Sequence, residues 1–394
     1  MFTPSADGGH ALYTRELLGA LVRHELGGDR FELVTSEDLA PPFRAAPYPI
    51  HPILPRLAHR QAFQTRLGWA TNRLLHYPRR EWTFLSWLSR RPGVAVVHIQ
   101  EQRPWLAVPL FSRIRRMRKR LFYTVHNVTP NTYPPFVPAA LIRRWNRDAC
   151  RMCDGLFVHT RRLRDQLADV LGRPHPPIHV VPHGVWTVAD EARGGVRDAA
   201  ATVDQRLARK RLLFFGEIRR NKGLHVLLDA MEQLPQFSLT VAGEPREPDY
   251  VWQEIIPRIR RLRELGRAID FRDRFVPEED VAPLFADHSA VVLPYTQAFA
   301  AQSGVVFLCL AHNTPAIASE SGGLRELFDE YGIGECVADV TPDGLARGVR
   351  SFFDTKKQSL ADEIRAAREH YSWARAAAAT LAAYAPLSPA VRAS

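Results

Sequence analysis

Apolar positions recur along the chain in two alternating rhythms. Leu12, Leu17, Leu18, Leu21 and Val22 fall three to five apart or side by side, the pattern of one helix face. Gly8-Gly9-His10 stands just ahead of them. Apolar runs of strand length follow at 31–35, 94–99, 121–126, 156–160 and 178–181. Amphipathic stretches separate them: one or two helices within 61–88, a basic helix over 111–120, and a helix over 161–171. Buried strands alternating with helices predict a parallel sheet covered on both faces. A glycine turn opening a helix normally follows a buried strand, yet only Met1-Phe2-Thr3-Pro4 is available. Either the first strand is very short or the chain starts upstream, and the pattern favours the second.

The rhythm lapses over 187–210, which contains Gly194-Gly195 and reads as a linker. It then resumes, with strands at 212–216, 237–243, near 269–271, 290–294 and 316–319. Helices are expected at 223–234, 251–265, 278–285 and 304–311. The fold class is therefore α/β: two Rossmann-like doubly wound domains, 1–186 and 211–370, facing each other across a cleft. Ligands of such sheets bind beyond the carboxyl ends of the strands.

Composition narrows the class. A chain of 394 residues, 46% hydrophobic and 24% charged, is long enough for two cores and excludes wholesale disorder, collagen and disulfide miniproteins. Four cysteines are too few to staple it and fit a reducing compartment. The longest stretch without Asp, Glu, Lys or Arg, 288–319, is broken by Pro294, Gln297, Gln302, Asn313 and Pro315. It reads as core segments rather than a membrane span. No secretory leader is read at the start, so a cytoplasmic setting is expected.

Charge is unevenly placed. Residues 1–186 hold 27 basic against 13 acidic side chains, a net of +14 within a total of +11, which leaves −3 for the remainder. Arg113, Arg115, Arg116, Arg118, Lys119 and Arg120 form one cluster; Arg66, Arg73, Arg79 and Arg80 mix with Trp69, Trp82 and Trp87 in another. Arginine with interfacial tryptophan suits an anionic membrane surface, such as the inner face of the plasma membrane. Arg outnumbers Lys 48 to 5, so an arginine-rich solvated face is the competing reading. No nucleic-acid motif is present.

The richest segment is Phe214-Phe215-Gly216-Glu217-Ile218-Arg219-Arg220-Asn221-Lys222-Gly223-Leu224. A buried strand ends at Gly216 and a helix starts after Lys222. Backbone N–H groups at that helix start, with Arg219 and Lys222 beside them, suit a diphosphate. Further marks follow in order: Gly8-Gly9, Tyr123-Thr124-Val125-His126-Asn127 and Val181-Pro182-His183-Gly184-Val185 in the first half. The second half adds Val241-Ala242-Gly243-Glu244, Leu293-Pro294-Tyr295, Gln302-Ser303-Gly304-Val305, and Pro315 through Gly322-Gly323-Leu324-Arg325-Glu326.

In that order and spacing, the chain resembles the family 4-type glycosyltransferases of the GT-B fold. The resemblance implies transfer of a sugar from a nucleotide diphosphate sugar to a glycan or lipid-diphosphate acceptor in bacterial glycan assembly. The donor is a substrate, so no cofactor is implied. Arg219 and Lys222 would neutralise the diphosphate, Gly216 would end the strand beneath it, and Gly8 and Gly9 would let the first loop approach the donor. His126 matches the family's histidine near the reacting sugar, and His183 lies in a further matching loop. The helix ending at Tyr384, within 371–394, would pack back on the N-terminal domain.

One departure matters. Many members carry two glutamates eight residues apart that grip the donor; registered on Pro315, those positions hold Ala300 and Leu308. Ser303 and Gly304 stand there instead, as in a bacterial branch with Gln-Ser-Gly-Val, and Gly322, Gly323 and Glu326 remain for ribose or sugar. An inverting reaction would need a general base, for which Glu101 is the first candidate and Asp7 the second; a pair with Arg103 is the competing role for Glu101. No Asp-x-Asp or second Cys/His pair beside Cys150 and Cys153 supports a metal. An inactive membrane-associated relative and a nucleotide-sugar epimerase are the competing functions. The first is motivated by the missing glutamates; the second lacks a convincing set of carboxylates.

Overall fold

The computed structural model describes residues 1–5, 8–24, 31–39, 43, 46–57, 66–128, 137–186, 200–296, 303–321, 323–355 and 360–385. It divides into two compact units, Met1–Gly184 with Trp373–Ser394, and Val185–Ser372.

The first unit is built on parallel strands β1 (Leu33–Ser36), β2 (Ile50–Leu54), β3 (Val96–Ile99), β4 (Arg120–Thr124), β5 (Gly155–Val158) and β6 (Ile178–Val180). β1 pairs with β2, and β3 to β6 pair in sequence. Phe2 bridges Val34 on one side and Ile99 on the other. Its N–H donates to His98 at 2.9 Å, its carbonyl accepts from Gln100 at 2.9 Å, and Val34 donates to Met1 at 2.9 Å. Met1–Thr3 thus lie as a short extended segment between β1 and β3. β2 escaped the apolar pattern because Pro52 interrupts it, which an edge strand tolerates.

Helix Pro104–Arg116 shows how the basic stretch folds. Ala107, Leu110, Phe111 and Ile114 are buried at helical spacing, while Arg113, Arg115 and Arg116 face outward. Cys150 and Cys153 sit in the same core, and burial pushes the Cys150 thiol up to about 12. Helix Trp373–Tyr384 packs on helix Gly8–His24, with the Trp373 and Tyr13 rings 5.3 Å apart. The Tyr384 hydroxyl meets Nδ1 of buried His98, and its carbonyl accepts from Arg120.

The second unit is a six-stranded parallel sheet of β7 (Arg211–Phe215), β8 (Ser238–Ala242), β9 (Ile269–Arg272), β10 (Ala290–Leu293), β11 (Ala316–Ser319) and β12 (Gly334–Val337). Their order is β12-β11-β10-β7-β8-β9. The winding reverses between β7 and β10, so the crevice beyond their carboxyl ends is the topological switch point.

Of the expected linker 187–210, residues 187–199 lie outside the described residues, but Ala200–Ala208 form a helix belonging to this unit. Its Arg206 is buried and donates to Thr314 Oγ1 at 3.1 Å and to the Asn313 carbonyl at 2.5 Å. The apolar pattern missed this helix because a charged side chain is one of its anchors.

Candidate functional site

In the second unit the loop after β7 is clamped against the loop after β10. Gly216 takes φ +105°, and Gly243, next after β8, lies so close that a Cβ there would sit 1.8 Å from the Gly216 carbonyl oxygen. Gly223 takes φ +72°, and its missing Cβ would fall 1.8 Å from the Pro294 oxygen just past β10. Glycine is what allows both approaches. Thr296 completes the clamp, donating to the Asn221 carbonyl through N–H at 3.1 Å and Oγ1 at 3.3 Å.

The clamp positions Lys222. Its ammonium lies 4.1 Å from the centroid of the Tyr295 ring, a cation–π contact that holds the charge at the switch point. Tyr295 is buried, and its hydroxyl shares a 2.9 Å hydrogen bond with Ser303 Oγ. Ser303 precedes helix Gly304–Ala311, whose first carbonyl accepts from the Trp186 indole at 2.8 Å. Ser321 Oγ donates to the Tyr295 and Thr296 carbonyls at 3.0 and 3.1 Å. Lys222, Tyr295, Ser303 and Ser321 thus form one chain of contacts around two strand ends.

Arg219 is placed differently. Its Nη2 lies 2.9 Å from Glu217, both side chains being well exposed, while its Nε is buried without a partner. An exposed pair of this kind contributes only about 0–1 kcal/mol, so an incoming dianion competes with Glu217 at small cost. Gly323 and half-buried Glu326 head helix Leu324–Tyr331; Gly322 lies outside the described residues. A cavity of about 280 Å³ opens beside helix Glu278–Asp287, lined by Ala242, Arg272, Arg274, Val276, Pro277 and Asp280 among others.

The first unit holds a cluster of rings. His126, just past β4, stacks on His10 with ring centroids 4.4 Å apart, and the Tyr13 ring stands nearly perpendicular to it at a centroid distance of 5.0 Å. His126 Nδ1 is 3.0 Å from Nε2 of His159, which follows β5, and His126 Nε2 is buried without a partner. His183 lies 5.5 Å from His159 and bonds the Gly184 carbonyl through Nδ1 at 2.8 Å. Burial holds the imidazoles of His126, His159 and His183 below the usual histidine range, His159 at about 4. Gly8, at φ +78°, and Gly9 open the helix that carries His10, with empty space where their side chains would project.

Glu101 has another occupation than proton transfer. It accepts from Ser5 at 2.5 Å, pairs with Arg103 at 3.1 Å and lies 3.8 Å from His10. Burial alone would raise its carboxyl, but His10, Arg103 and Ser5 outweigh that and hold it at about 2. A carboxylate so weakly basic is a poor general base near neutral pH. The geometry therefore favours the ion pair with Arg103, beside the His10 ring that stacks on His126. Asp7 lies outside the described residues.

His159 escapes the sequence reading, and His10 and Tyr295 stand within its motifs without a site role. His126 and His159 meet because β4 and β5 are adjacent parallel strands, so residues just past their carboxyl ends become neighbours. Among the described residues, no group of three His, Cys, Asp or Glu side chains is arranged to hold a metal.

Two family models match in tandem: Glycosyltransferase Family 4 over residues 7–187 and Glycosyl transferases group 1 over residues 209–355. A GDP-mannose:glycolipid 4-beta-D-mannosyltransferase of Xanthomonas campestris pv. campestris is 35% identical over 148 residues, 36% of this chain and 39% of that protein. A D-inositol 3-phosphate glycosyltransferase of Xylanimonas cellulosilytica is 28% identical over 59% of this chain and 57% of its own. The chain thus spans about two to three fifths of the curated relatives it matches. Over whole chains the fold matches sucrose-phosphate synthase from Thermosynechococcus elongatus, with a TM-score of 0.72, 17% identity and 97% of both chains covered. It also matches Anabaena HepE in complex with UDP and glucose, with a TM-score of 0.72, 14% identity and 98% of both chains covered.

Proposed function

We propose that this chain, which belongs to the family 4 and group 1 glycosyltransferases of the GT-B fold, transfers a sugar from a nucleoside diphosphate to a hydroxyl of a glycolipid or lipid-diphosphate acceptor. The observation that carries the reading is the glycine-clamped switch point with Lys222 held against Tyr295. Lys222 and Arg219 take the diphosphate there, and the start of helix Gly304–Ala311 adds backbone N–H groups. The cavity lined by Val276 and Pro277 receives the base. In the transfer, the bond between the anomeric carbon and the diphosphate oxygen breaks as the acceptor oxygen bonds to that carbon, and the proton of the acceptor hydroxyl passes to the departing diphosphate. Negative charge grows on the departing diphosphate, so the two cations act most strongly in the transition state. His126 serves the sugar, and Glu101 orders His10 beside it. The relative that uses GDP-mannose with a glycolipid and the neighbour that binds UDP support the donor class and leave the base open.

The test is incubation with GDP-, UDP- and dTDP-sugars and a lipid-diphosphate or glycolipid acceptor, with calorimetry of the matching diphosphates. Product from one donor base is expected. Binding without product from any donor would favour the inactive relative, and no binding at all would remove the reading.

The first unit also offers a surface for an anionic membrane. Leu75 and Trp82, seven apart on helix Arg66–Ser89, are 69% and 62% exposed, with exposed Arg79 between them. The Arg113 guanidinium sits 5.4 Å from the Trp82 ring. Among the described residues no helix is long and apolar enough to cross a membrane, so contact through this face would be peripheral. The chain is expected to float with vesicles of anionic phospholipid and not with zwitterionic ones. Leu75→Ala with Trp82→Ala should cut the bound fraction several-fold; unchanged flotation would remove this surface.

A further inference from the structure

Hydrogen-bond direction around His159 is fixed by chemistry. Its Nδ1 lies 3.1 Å from the backbone carbonyl of Val181. A carbonyl only accepts, so Nδ1 carries the proton. The ring is fully enclosed and held neutral by burial, which leaves a bare lone pair on Nε2. That lone pair faces His126 Nδ1 at 3.0 Å, so His126 must donate from Nδ1. His126 is itself held neutral, first by burial and then by neighbouring His10, His159 and His183. Its proton is committed at Nδ1, and its Nε2 keeps a lone pair that is buried and unmatched. An unmatched buried acceptor costs stability unless a ligand meets it.

We infer that His159 is a positioning residue that relays the Val181 carbonyl through its ring and fixes His126 as a hydrogen-bond acceptor at Nε2. The relay presents a carbohydrate hydroxyl with an acceptor rather than a donor. That identification of the ligand rests on the sugar-transfer reading; the relay itself does not.

The test uses the full chain labelled with ¹⁵N-histidine. Long-range proton–nitrogen spectra separate rings protonated at Nδ1 from those protonated at Nε2, and the signal missing in His126→Gln identifies His126. His126 is expected to carry its proton on Nδ1 in the parent and in His159→Gln, whose amide oxygen replaces the accepting nitrogen. His159→Phe should lose that preference. In turnover, His159→Phe should lower kcat roughly tenfold, equivalent to one lost hydrogen bond, with KM for the donor little changed. His159→Gln should recover most of it. A packing role alone predicts the opposite ranking, since phenylalanine is the closer match in shape. A parent His126 protonated at Nε2, or a His159→Phe variant with parental spectrum and kcat, would overturn the relay. The spectrum needs no turnover, so it decides the relay even in a protein that transfers no sugar.

Discussion

Lys222→Ala is expected to weaken binding of the cognate nucleoside diphosphate by on the order of 10- to 100-fold, the range for a charge-assisted hydrogen bond of about 1.5–3 kcal/mol. The ammonium is not a loose surface charge. It rests on the face of a buried tyrosine whose hydroxyl is tied to Ser303, so its position is prepared before any ligand arrives. Turnover should fall at least as far as binding, because the diphosphate gains charge as the sugar leaves. Arg219→Ala should do less, since that guanidinium already shares its field with Glu217 at 2.9 Å. Calorimetry of both variants against GDP, UDP and dTDP, alongside single-turnover rates, measures the difference. Parental affinity and rate in Lys222→Ala would remove the diphosphate from this loop and with it the transfer reading.

Much of this arrangement was legible in the sequence because it depends on local signals. Helix Arg161–Leu171 and helix Gly304–Ala311 occupy the residues that apolar spacing assigned to them, as does strand Ala316–Ser319. The first repeats Leu163, Leu167 and Leu171 at helical spacing, the other two are apolar runs, and nothing distant is needed to recognise them. The segment from Phe214 to Leu224 was legible for the same reason. What stayed hidden depends on which strands become neighbours. Met1–Thr3 complete the sheet only because β1 and β3 leave one space between them. The histidine cluster exists because β4 lies beside β5. Glu101 shows the same limit from the other side: a carboxylate at a strand end looks like a base until Ser5, His10 and Arg103 are found around it. Chemistry carried by one continuous segment can be read in line, whereas chemistry assembled by topology needs the pairing order first.

Gly223→Ala should test whether the switch point is built as a unit. The substitution meets two separate obstacles. Its backbone sits at φ +72°, and its new methyl group would lie 1.8 Å from the Pro294 carbonyl oxygen. The first costs about 1–2 kcal/mol. The second has no rotamer to relieve it, so one of the two loops must move. Together the expected loss is about 3–5 kcal/mol, at the upper end for single substitutions, or a fall of roughly 6–20 °C in the melting temperature of a unit this size. Gly266 separates the two terms, since it has φ +71° but nothing within 4 Å of the place a methyl group would take. Gly266→Ala should therefore show only the smaller loss and leave nucleotide binding at the parental level. Gly223→Ala, measured below its melting temperature, should bind nucleotide far more weakly, because shifting that loop carries Lys222 away from Tyr295. Equal losses of stability in the two variants would mean that the loops after β7 and β10 yield to one another freely. A loop that yields cannot hold a cation in readiness for a leaving group.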